Sequence, residues 1–315
     1  MKFFITGSCG FIGSHLCERL LKLNHNVIGI DNFNSVIYDE KYKQINLEIL
    51  NKYENYIHIT DDLLNDDYIN KYNPDIVIHL AAYANVRKSN EIPTEFIKNN
   101  IEMTCHLLEQ IKNNKNKPTF LYASSSSVYG KNTKIPFKES DDLNNISSIY
   151  ALSKKTCEEM IELYCKNYEL KSIGYRFFTV YGPRGRPDMA IHKFLYNIHN
   201  NIPIKMYGDG SMKRDFTYID DIINGIINSL EIKLNKSEHR IYNLGNNTPI
   251  ELKELIRLCS EIVNKEPIIL NEDIPQGDVP ITFSDIEKSK KELNYNPKIS
   301  LKEGLKLNYE YICLN

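Results

Sequence analysis

Several features that would place a protein in a specialised class are missing from this sequence. Its seven cysteines form no C-x-x-C pair, so they indicate neither a zinc site nor a disulfide framework, and they favour a reducing cytoplasmic location. No apolar stretch approaches the ~18 residues that span a bilayer, and the strand-like KFFIT at the start leaves no space for a signal peptide. The formal net charge of −2 gives no field that would favour nucleic acid. We therefore expect an intracellular protein with no metal and with neither a membrane nor a nucleic acid as partner.

What is present is a regular alternation of short apolar runs with amphipathic segments. The runs read KFFIT, NVIGID, YIHIT, DIVIHLAA, TFLYASS, SIGYRFF and HRIYNLG. Alternation of this kind predicts βαβ units, and hence an α/β fold with a doubly wound parallel sheet. The pattern becomes irregular after Phe178, which predicts a second, smaller mixed α/β lobe. Because HRIYNLG returns to the first sheet, we place the first domain at 1–178 plus about 217–246 and the second at about 179–216 plus 247–315.

The segment TGSCGFIG connects the first apolar run to an amphipathic helix. Its glycines allow a tight turn at Gly7, approach of the backbone to a pyrophosphate at Gly10 and close helix packing at Gly13. Eighteen residues after Gly13, the second strand ends in Asp31, the place for a carboxylate that binds an adenosine ribose and repels a 2′-phosphate. These positions predict a Rossmann-type site for NAD rather than NADP. A structural turn and an ordinary helix cap are the alternative interpretations.

A tyrosine and a lysine four residues apart suggest a base for acid–base chemistry. Tyr150 and Lys154 stand in the helical segment IYALSKKTCEEM, so they lie on one helix face. A lysine ammonium stabilises phenolate and lowers a phenol pKa that is normally ~10. Upstream, YASSSSVYG places Ser124 to Ser127 at the end of a buried strand, where a hydroxyl can bind a substrate oxygen. Taken singly, a surface pair and a serine turn are the alternatives.

A positively charged loop follows the strand-like IGYRFFTV. In YGPRGRPDMA, two arginines and an aspartate stand among two glycines and two prolines, and Gly and Pro restrict such a loop to a defined shape. An arginine held in this way predicts an anion-binding site in which the guanidinium has a fixed orientation. A surface turn with solvated charges is the alternative.

With these motifs the chain resembles the extended short-chain dehydrogenases/reductases, and among them the nucleotide-sugar 4-epimerases, most closely the UDP-glucuronate 4-epimerase branch. The resemblance runs from Thr6 to about Asn308, and its further markers are DNFN, HLAA, YGDGSMKRDFTYIDDI and QGDVPITFSD. It implies NAD-dependent epimerisation at C4 of a UDP-sugar acid, UDP-glucuronate to UDP-galacturonate, through a transient 4-keto intermediate. It also implies a homodimer, an NAD-binding first domain and a UDP-sugar-binding second domain.

The resemblance implies roles for individual residues of the first domain. Tyr150 would be the catalytic base, Lys154 would tune its pKa and hold the nicotinamide ribose, and Ser125 and Ser127 would lie beside the 4-oxygen of the sugar. The positions that line NAD would be Gly7, Gly10, Phe11, Ile12, Gly13, Asp31, Asn32, Asp62, Leu80, Ala81, Ala82, Asn99, Tyr150 and Lys154.

The charged loop also receives a role from the resemblance. Thr179 and Arg186 would lie near C5 and C6 of the sugar, and a bidentate guanidinium is well suited to a C6 carboxylate. Asp188 would brace the loop, and Arg184 would be solvated.

Two further positions concern the nucleotide part of the substrate. Arg214 would grip the diphosphate, and Asp278 would lie near the uridine ribose. The chain has Gln276 where many UDP-galactose 4-epimerases have a second phosphate arginine, so one phosphate contact is weaker or comes from elsewhere.

Three alternatives to this function remain. Decarboxylases of the family resemble SEVYG where this chain reads SSVYG, so Ser127 favours epimerisation over UDP-xylose formation. Arg186 and Gln276 disfavour a UDP-glucose 4-epimerase. A non-catalytic nucleotide-binding regulator is the third alternative, because a fold does not fix a function.

Overall fold

A computed structural model of the chain, which describes residues 1–275 and 278–314, divides it into two compact units. The first comprises residues 1–128, 146–176 and 231–242, and the second comprises 129–145, 177–230 and the chain from Asn243 onward.

The first unit is built on a seven-stranded sheet. Its strand order is β10-β6-β5-β4-β1-β2-β3, and β4, β1, β2 and β3 pair in parallel, as do β4 and β5. The strands are β1 (Lys2–Thr6), β2 (Asn26–Ile30), β3 (Tyr56–Ile59), β4 (Ile76–His79), β5 (Thr119–Ser125), β6 (Ser172–Phe177) and β10 (His239–Leu244). Each of the seven apolar runs forms one of these strands, so the predicted doubly wound α/β fold is confirmed.

Helices separate the strands of the first unit. They are α1 (Phe11–Lys22), α2 (Lys41–Leu50), α3 (Tyr68–Tyr72), α4 (Val86–Glu91), α5 (Pro93–Phe96), a π-helical turn (Ile97–Glu102), α6 (Met103–Asn113) and α7 (Ile149–Tyr168). The long helix α7 is capped at its N-terminus by Ser148, whose hydroxyl accepts a hydrogen bond from the Ala151 N–H, and at its C-terminus by Glu169, which lies in the left-handed region. Its apolar face packs with α6 and the sheet in one hydrophobic core.

The described residues of the second unit form two small sheets and five helices. One sheet has the order β11-β9-β7 with both parallel and antiparallel pairing, and the other pairs β12 with β8 in parallel. The strands are β7 (Thr179–Tyr181), β8 (Ile204–Tyr207), β9 (Lys213–Tyr218), β11 (Pro249–Glu251) and β12 (Ile269–Glu272). The helices are α8 (Ala190–His199), α9 (Ile219–Ser229), α10 (Leu252–Val263), α11 (Glu287–Leu293) and α12 (Leu301–Leu314). The predicted smaller mixed lobe is therefore present.

The boundary between the units is discontinuous, because each unit combines three separate stretches of the chain. Within the stretch 217–246 that the sequence assigns to the first domain, α9 belongs to the second unit, because it packs on β7, β9 and α11. The assignment of NAD to one unit and of the UDP-sugar to the other stays a prediction. None of the helices in the described part of the chain combines the length and apolar character that a membrane span requires.

Candidate functional site

The glycine turn after β1 has a geometry that other residues cannot adopt. Gly7 has φ +67°, and a Cβ there would lie 2.8 Å from the Ala81 nitrogen. A Cβ on Gly13 would lie 2.1 Å from the Gly7 carbonyl oxygen, so only glycine lets α1 pack so close to the turn. Gly10, the N-cap residue of α1, has no side chain, so no side-chain cap bonds the first N–H groups of this helix. An uncapped helix N-terminus of this kind suits the pyrophosphate of a dinucleotide.

Asp31 lies buried at the carboxyl end of β2. It accepts hydrogen bonds from the Cys9 N–H at 3.2 Å and the Phe33 N–H at 2.9 Å. Because α2 begins ten residues later, at Lys41, Asp31 is not its cap. The ammonium of Lys43 lies 3.3 Å from one carboxylate oxygen, a contact that sequence reasoning missed because nothing in the pattern of α2 distinguishes Lys43 from a surface lysine.

The other predicted cofactor positions collect around the ends of β1, β2 and β4. The Asn32 amide donates to the Asp62 carboxylate at 3.1 Å. The N–H groups of Leu80 and Ala81 both donate to the Thr6 hydroxyl, at 3.2 and 3.1 Å. Phe11 and Ile12 form the first turn of α1, and Ala82 directly follows Ala81. The first unit therefore brings these positions to one edge of the sheet, where open parallel sheets bind ligands.

A chain of hydrogen bonds runs from β1 to the π-helical turn. The Thr6 hydroxyl accepts from two N–H groups, so its proton is donated to His79 Nδ1 at 2.7 Å. His79 Nε2 then carries the ring proton and donates to Thr104 at 3.2 Å, and Thr104 donates to the Asn100 carbonyl oxygen at 2.6 Å. Neutral His79 thus holds a fixed tautomer.

Asn100 is a functional candidate that sequence reasoning missed. Its side chain accepts from the Tyr83 N–H at 2.8 Å and donates to the Ser153 hydroxyl at 3.0 Å. Ser153 in turn donates to the Tyr150 carbonyl oxygen at 2.8 Å, so Asn100 orients the helix of the predicted base. The predicted residue Asn99 is its partly exposed neighbour, with an amide 3.1 Å from the Asn100 side-chain oxygen. Both asparagines lie in the π-helical turn, which the sequence does not reveal.

Tyr150 and Lys154 both face the interior of the first unit. Tyr150 is 9% exposed and Lys154 is 6% exposed. The Tyr150 ring packs edge-on against Phe96, with 6.4 Å between the ring centroids, and the Lys154 ammonium donates to the Ala123 carbonyl oxygen at 2.8 Å. Burial lowers the pKa of Lys154, whereas Cys157 and Glu158 oppose that shift. The pair is therefore not a solvated surface pair.

The serine run divides into two environments at the end of β5. The Ser127 hydroxyl donates to the Ser125 hydroxyl at 2.9 Å, and the Ser127 N–H donates to the same oxygen at 3.2 Å. Ser124 is buried and donates to Glu158 at 2.5 Å. Ser125 and Ser127 therefore form a partly exposed hydroxyl pair, whereas Ser124 belongs to the interior.

In the second unit, the charged loop is braced by an ion pair. Arg186 donates from Nε and Nη2 to the two carboxylate oxygens of Asp188, at 2.9 and 2.7 Å. Gly182 has φ +145° and its carbonyl oxygen accepts from the Gly185 N–H at 3.0 Å. The pair with Asp188 engages one edge of the guanidinium.

The predicted nucleotide contacts of the second unit lie close to each other. Arg214 on β9 places Nη2 4.0 Å from the Asp278 carboxylate. Its Nη1 donates to the Lys213 carbonyl oxygen at 2.9 Å. Thr179 begins β7, which pairs with β9. Gln276 lies outside the described residues. Within the described ranges, no group of three or more His, Cys, Asp and Glu side chains could hold a metal ion.

The buried His79 predicts acid sensitivity. Burial lowers the pKa of its imidazole to about 3, from about 6.5 in the unfolded chain. The unfolded state then binds more protons, so the free energy of unfolding falls as the pH drops from about 6.5 towards 3, by up to about 1.4 kcal/mol per pH unit. The variant His79→Asn should reduce this slope by about one proton in urea titrations between pH 4 and 6.5. An unchanged slope would contradict the assignment.

Comparisons with known proteins reveal relatives over nearly the whole chain. The sequence pattern of the NAD dependent epimerase/dehydratase family matches residues 3–245. A probable UDP-glucuronate 4-epimerase of Rhizobium meliloti is 36% identical over 325 residues, which cover 97% of this chain and 95% of that protein.

Solved structures with the same fold cover the chain completely. The UDP-glucuronic acid 4-epimerase of Bacillus cereus, in complex with UDP-glucuronic acid and NAD, is similar with a TM-score of 0.92 and 35% identity, over 100% of this chain and 99% of that one. The UDP-glucose 4-epimerase of Thermotoga maritima with UDP-glucose has a TM-score of 0.88 and 29% identity, over 100% and 99% of the two chains.

Proposed function

The chain belongs to the NAD dependent epimerase/dehydratase family, and on that premise we propose that it is an NAD-dependent UDP-sugar 4-epimerase that interconverts UDP-glucuronate and UDP-galacturonate. The observation that carries this proposal is the full-length likeness to the Bacillus cereus 4-epimerase, which was solved with UDP-glucuronic acid and NAD. The buried Tyr150 and Lys154 add the chemistry that a 4-epimerase needs.

The residues of the first unit fit an NAD molecule. The open glycine turn and the uncapped start of α1 suit the pyrophosphate, and Asp31 suits the adenosine ribose. The edge of the sheet would supply the remaining contacts, from Asn32, Asp62 and the residues after β4. Bound NAD would supply reversible hydride transfer at C4 of the sugar, and because the 4-keto sugar would turn over before the hydride returns, C4 would be inverted with no net oxidation.

Side chains of the protein then carry out the transfer of a single proton. Tyr150 as phenolate accepts the proton of the 4-hydroxyl and later returns it, while the ammonium of Lys154 stabilises the phenolate. The hydroxyl pair of Ser125 and Ser127 holds the 4-oxygen as it changes from alcohol to ketone and back. Tyr150 needs no further acid, because the proton that it removes is the proton that it restores.

The acid substrate creates a hazard that the second unit must control. A ketone at C4 makes the C6 carboxylate part of a β-keto acid, which loses carbon dioxide when the C5–C6 bond aligns with the carbonyl π system. In this proposal, Thr179 and Arg186 hold the carboxylate out of that alignment, together with Ser127. Orientation control of about 3 kcal/mol changes the partitioning roughly a hundredfold.

One experiment separates this function from its alternatives. The protein is incubated separately with UDP-glucuronate, UDP-glucose and UDP-N-acetylglucosamine, and the products are identified by NMR and mass. We expect an isomer of unchanged mass from the acid alone. Loss of carbon dioxide would identify a UDP-glucuronate decarboxylase, turnover of neutral sugars alone would identify a UDP-glucose 4-epimerase, and nucleotide binding without turnover would identify a regulator.

We also propose that the protein is a homodimer that pairs through α7. This helix carries large apolar side chains on its outer surface, since Leu152, Leu163 and Tyr168 are all exposed, and Ile97 of the adjacent π-helical turn is exposed as well. Leu163→Asp should convert the dimer to a monomer in size-exclusion chromatography with light scattering. Leu307→Asp, which changes an exposed leucine of α12, is the matched control and should leave the dimer intact. A monomeric parent protein would contradict the proposal.

A cytoplasmic location is proposed on the basis of the cysteines. All seven are free thiols in the structure, as expected for a reducing compartment. Cell fractionation with thiol labelling tests this, and recovery of disulfide-bonded protein from outside the cytoplasm would contradict it.

A further inference from the structure

The buried face of α7 carries three chemically active side chains on successive turns. Tyr150, Lys154 and Glu158 are four residues apart, and all three lie in the interior of the first unit. The proposed mechanism uses the first two and leaves Glu158 without a role. A buried carboxylate is costly unless it is paired and hydrogen-bonded, so its presence one turn from Lys154 requires an explanation.

Glu158 is held from two neighbouring strands. Arg176 on β6 donates to both of its oxygens, from Nε at 3.0 Å and from Nη2 at 2.7 Å, and the two side chains are only 4% and 5% exposed. The hydroxyl of Ser124 on β5 donates to one of the same oxygens at 2.5 Å. The carboxylate thus joins β5, β6 and α7 at one point.

The contact with Ser124 lies next to the reacting groups. Lys154 donates to the carbonyl oxygen of Ala123 at 2.8 Å, and Glu158 accepts from Ser124, so two consecutive residues of β5 are tied to two consecutive turns of α7. The next residue of the strand is Ser125, one of the hydroxyls proposed to hold the 4-oxygen. The distance between Ser125 and the base on α7 therefore depends on this double attachment.

We infer that Glu158, held by Arg176, is a positioning residue that fixes the end of β5 against α7. Its negative charge also offsets the positive charge of Arg176 close to Lys154. The inference rests on the roles proposed for Tyr150, Lys154 and Ser125. It goes beyond them, because it assigns a task in the reaction to residues that touch neither the sugar nor NAD.

Several groups surround Lys154 and Glu158 but are uncharged near neutral pH. Cys157 on α7 and Tyr122 on β5 are buried, which raises the pKa of each, and burial lowers the pKa of His239 on β10 and of His79 on β4.

The charges on the buried face of α7 are Lys154 and Glu158, and Glu158 forms an ion pair with Arg176. One turn further along α7, Glu162 and Lys166 form a second ion pair and act on His239. Each of these two pairs is neutral overall.

Single variants of Glu158 and of Arg176 should move the acid limb of the kcat–pH profile, which reports formation of the Tyr150 phenolate, in opposite directions. Glu158→Gln leaves Arg176 positive, which favours the phenolate and moves the limb to lower pH. Arg176→Gln leaves Glu158 negative and moves the limb to higher pH. Each displacement should be about 0.5 to 1 pH unit, and the double variant E158Q/R176Q should return the limb to within about 0.3 unit of the parent value. A merely structural role would lower kcat in all three without opposite shifts.

The same shifts can be measured without turnover. Ultraviolet difference titration of the NAD-containing protein detects the phenolate of Tyr150, with Tyr150→Phe as the blank. If the protein turns out not to act on UDP-glucuronate, opposite displacements in this titration would still support the inference. The inference would be overturned, whatever the substrate is, if the titrations of the two single variants coincide with that of the parent protein. It would also be overturned if both single variants shift the titration in the same direction.

Glu158→Gln and Arg176→Gln each leave one buried charge unpaired and could therefore fail to fold. In that case Ser124→Ala provides a separate test. This variant removes only a neutral hydroxyl, so it should fold, keep the acid limb in place and lower kcat about tenfold at unchanged KM. Unchanged kcat in Ser124→Ala would overturn the positioning role. Thermal unfolding and the NAD content per chain confirm that each variant is intact.

Discussion

Tyr150→Phe is expected to lower kcat for UDP-glucuronate epimerisation about a thousandfold or more, while the protein retains its NAD and its thermal stability. The variant removes the atom that accepts the 4-hydroxyl proton, and a positioned general base typically contributes 10²- to 10⁴-fold. The ring stays, so its edge-on packing against Phe96 is unchanged. Steady-state kinetics, the NAD content per chain and the melting temperature measure the three quantities.

Tyr83→Phe provides the matched control for this prediction. Tyr83 belongs to the same buried aromatic cluster as Phe96 and Tyr150, and the substitution deletes the same phenolic oxygen. We expect kcat to stay within about threefold of the parent value, because this hydroxyl has no proposed part in proton transfer. Equal losses in the two variants would show that the cluster responds to any lost hydroxyl, and Tyr150 would lose its assigned role.

Arg186→Ala should lower kcat/KM for UDP-glucuronate about a hundredfold, equivalent to about 3 kcal/mol for a lost charge-assisted contact. Binding of UDP and turnover of any neutral UDP-sugar should change much less, because the C6 carboxylate is the part of the substrate that this guanidinium is proposed to contact. A larger fraction of decarboxylated product is also expected. Kinetics with each substrate, calorimetric titration with UDP and mass analysis of the products measure these effects.

Two further variants separate recognition from loop structure. The substitution of Arg186 leaves the Asp188 carboxylate without its bidentate partner, and that charge would itself repel an acid substrate. The double variant R186A/D188N removes the repulsion and should still turn over the acid poorly. Arg184→Ala removes a second cation of the same loop, which is half-buried and to which no substrate contact is assigned, and should reduce kcat/KM less than about threefold. Parallel losses in UDP binding and acid turnover for Arg186→Ala would make the loop structural.

The sequence predicted those parts of the candidate site whose signal is local. Gly7 and Gly13 follow from spacing alone, and the structure shows why any side chain would clash at these positions. Tyr150 and Lys154 also follow from spacing, because residues four apart share a helix face. Their burial did not follow, since a surface pair has the same spacing.

The sequence missed partners that are distant along the chain. Lys43 lies twelve residues from Asp31 and Arg176 lies eighteen residues from Glu158, and each pair meets only through the packing of a helix on a strand. Asn99 is partly exposed whereas Asn100 is buried, and the π-helical turn that contains both shifts the helix face relative to an α-helix. No periodicity in the sequence records that shift.

The sequence by itself determined the alternation of strands and helices, the glycine turn and the identity of the reactive side chains, because backbone freedom and hydrophobic period depend on neighbouring residues. Only the tertiary structure decided which charges are neutralised and where. Lys43 meets Asp31, and Glu158 meets Arg176 and Ser124, through contacts whose energies depend on burial and on distances of about 3 Å, which a linear pattern does not contain.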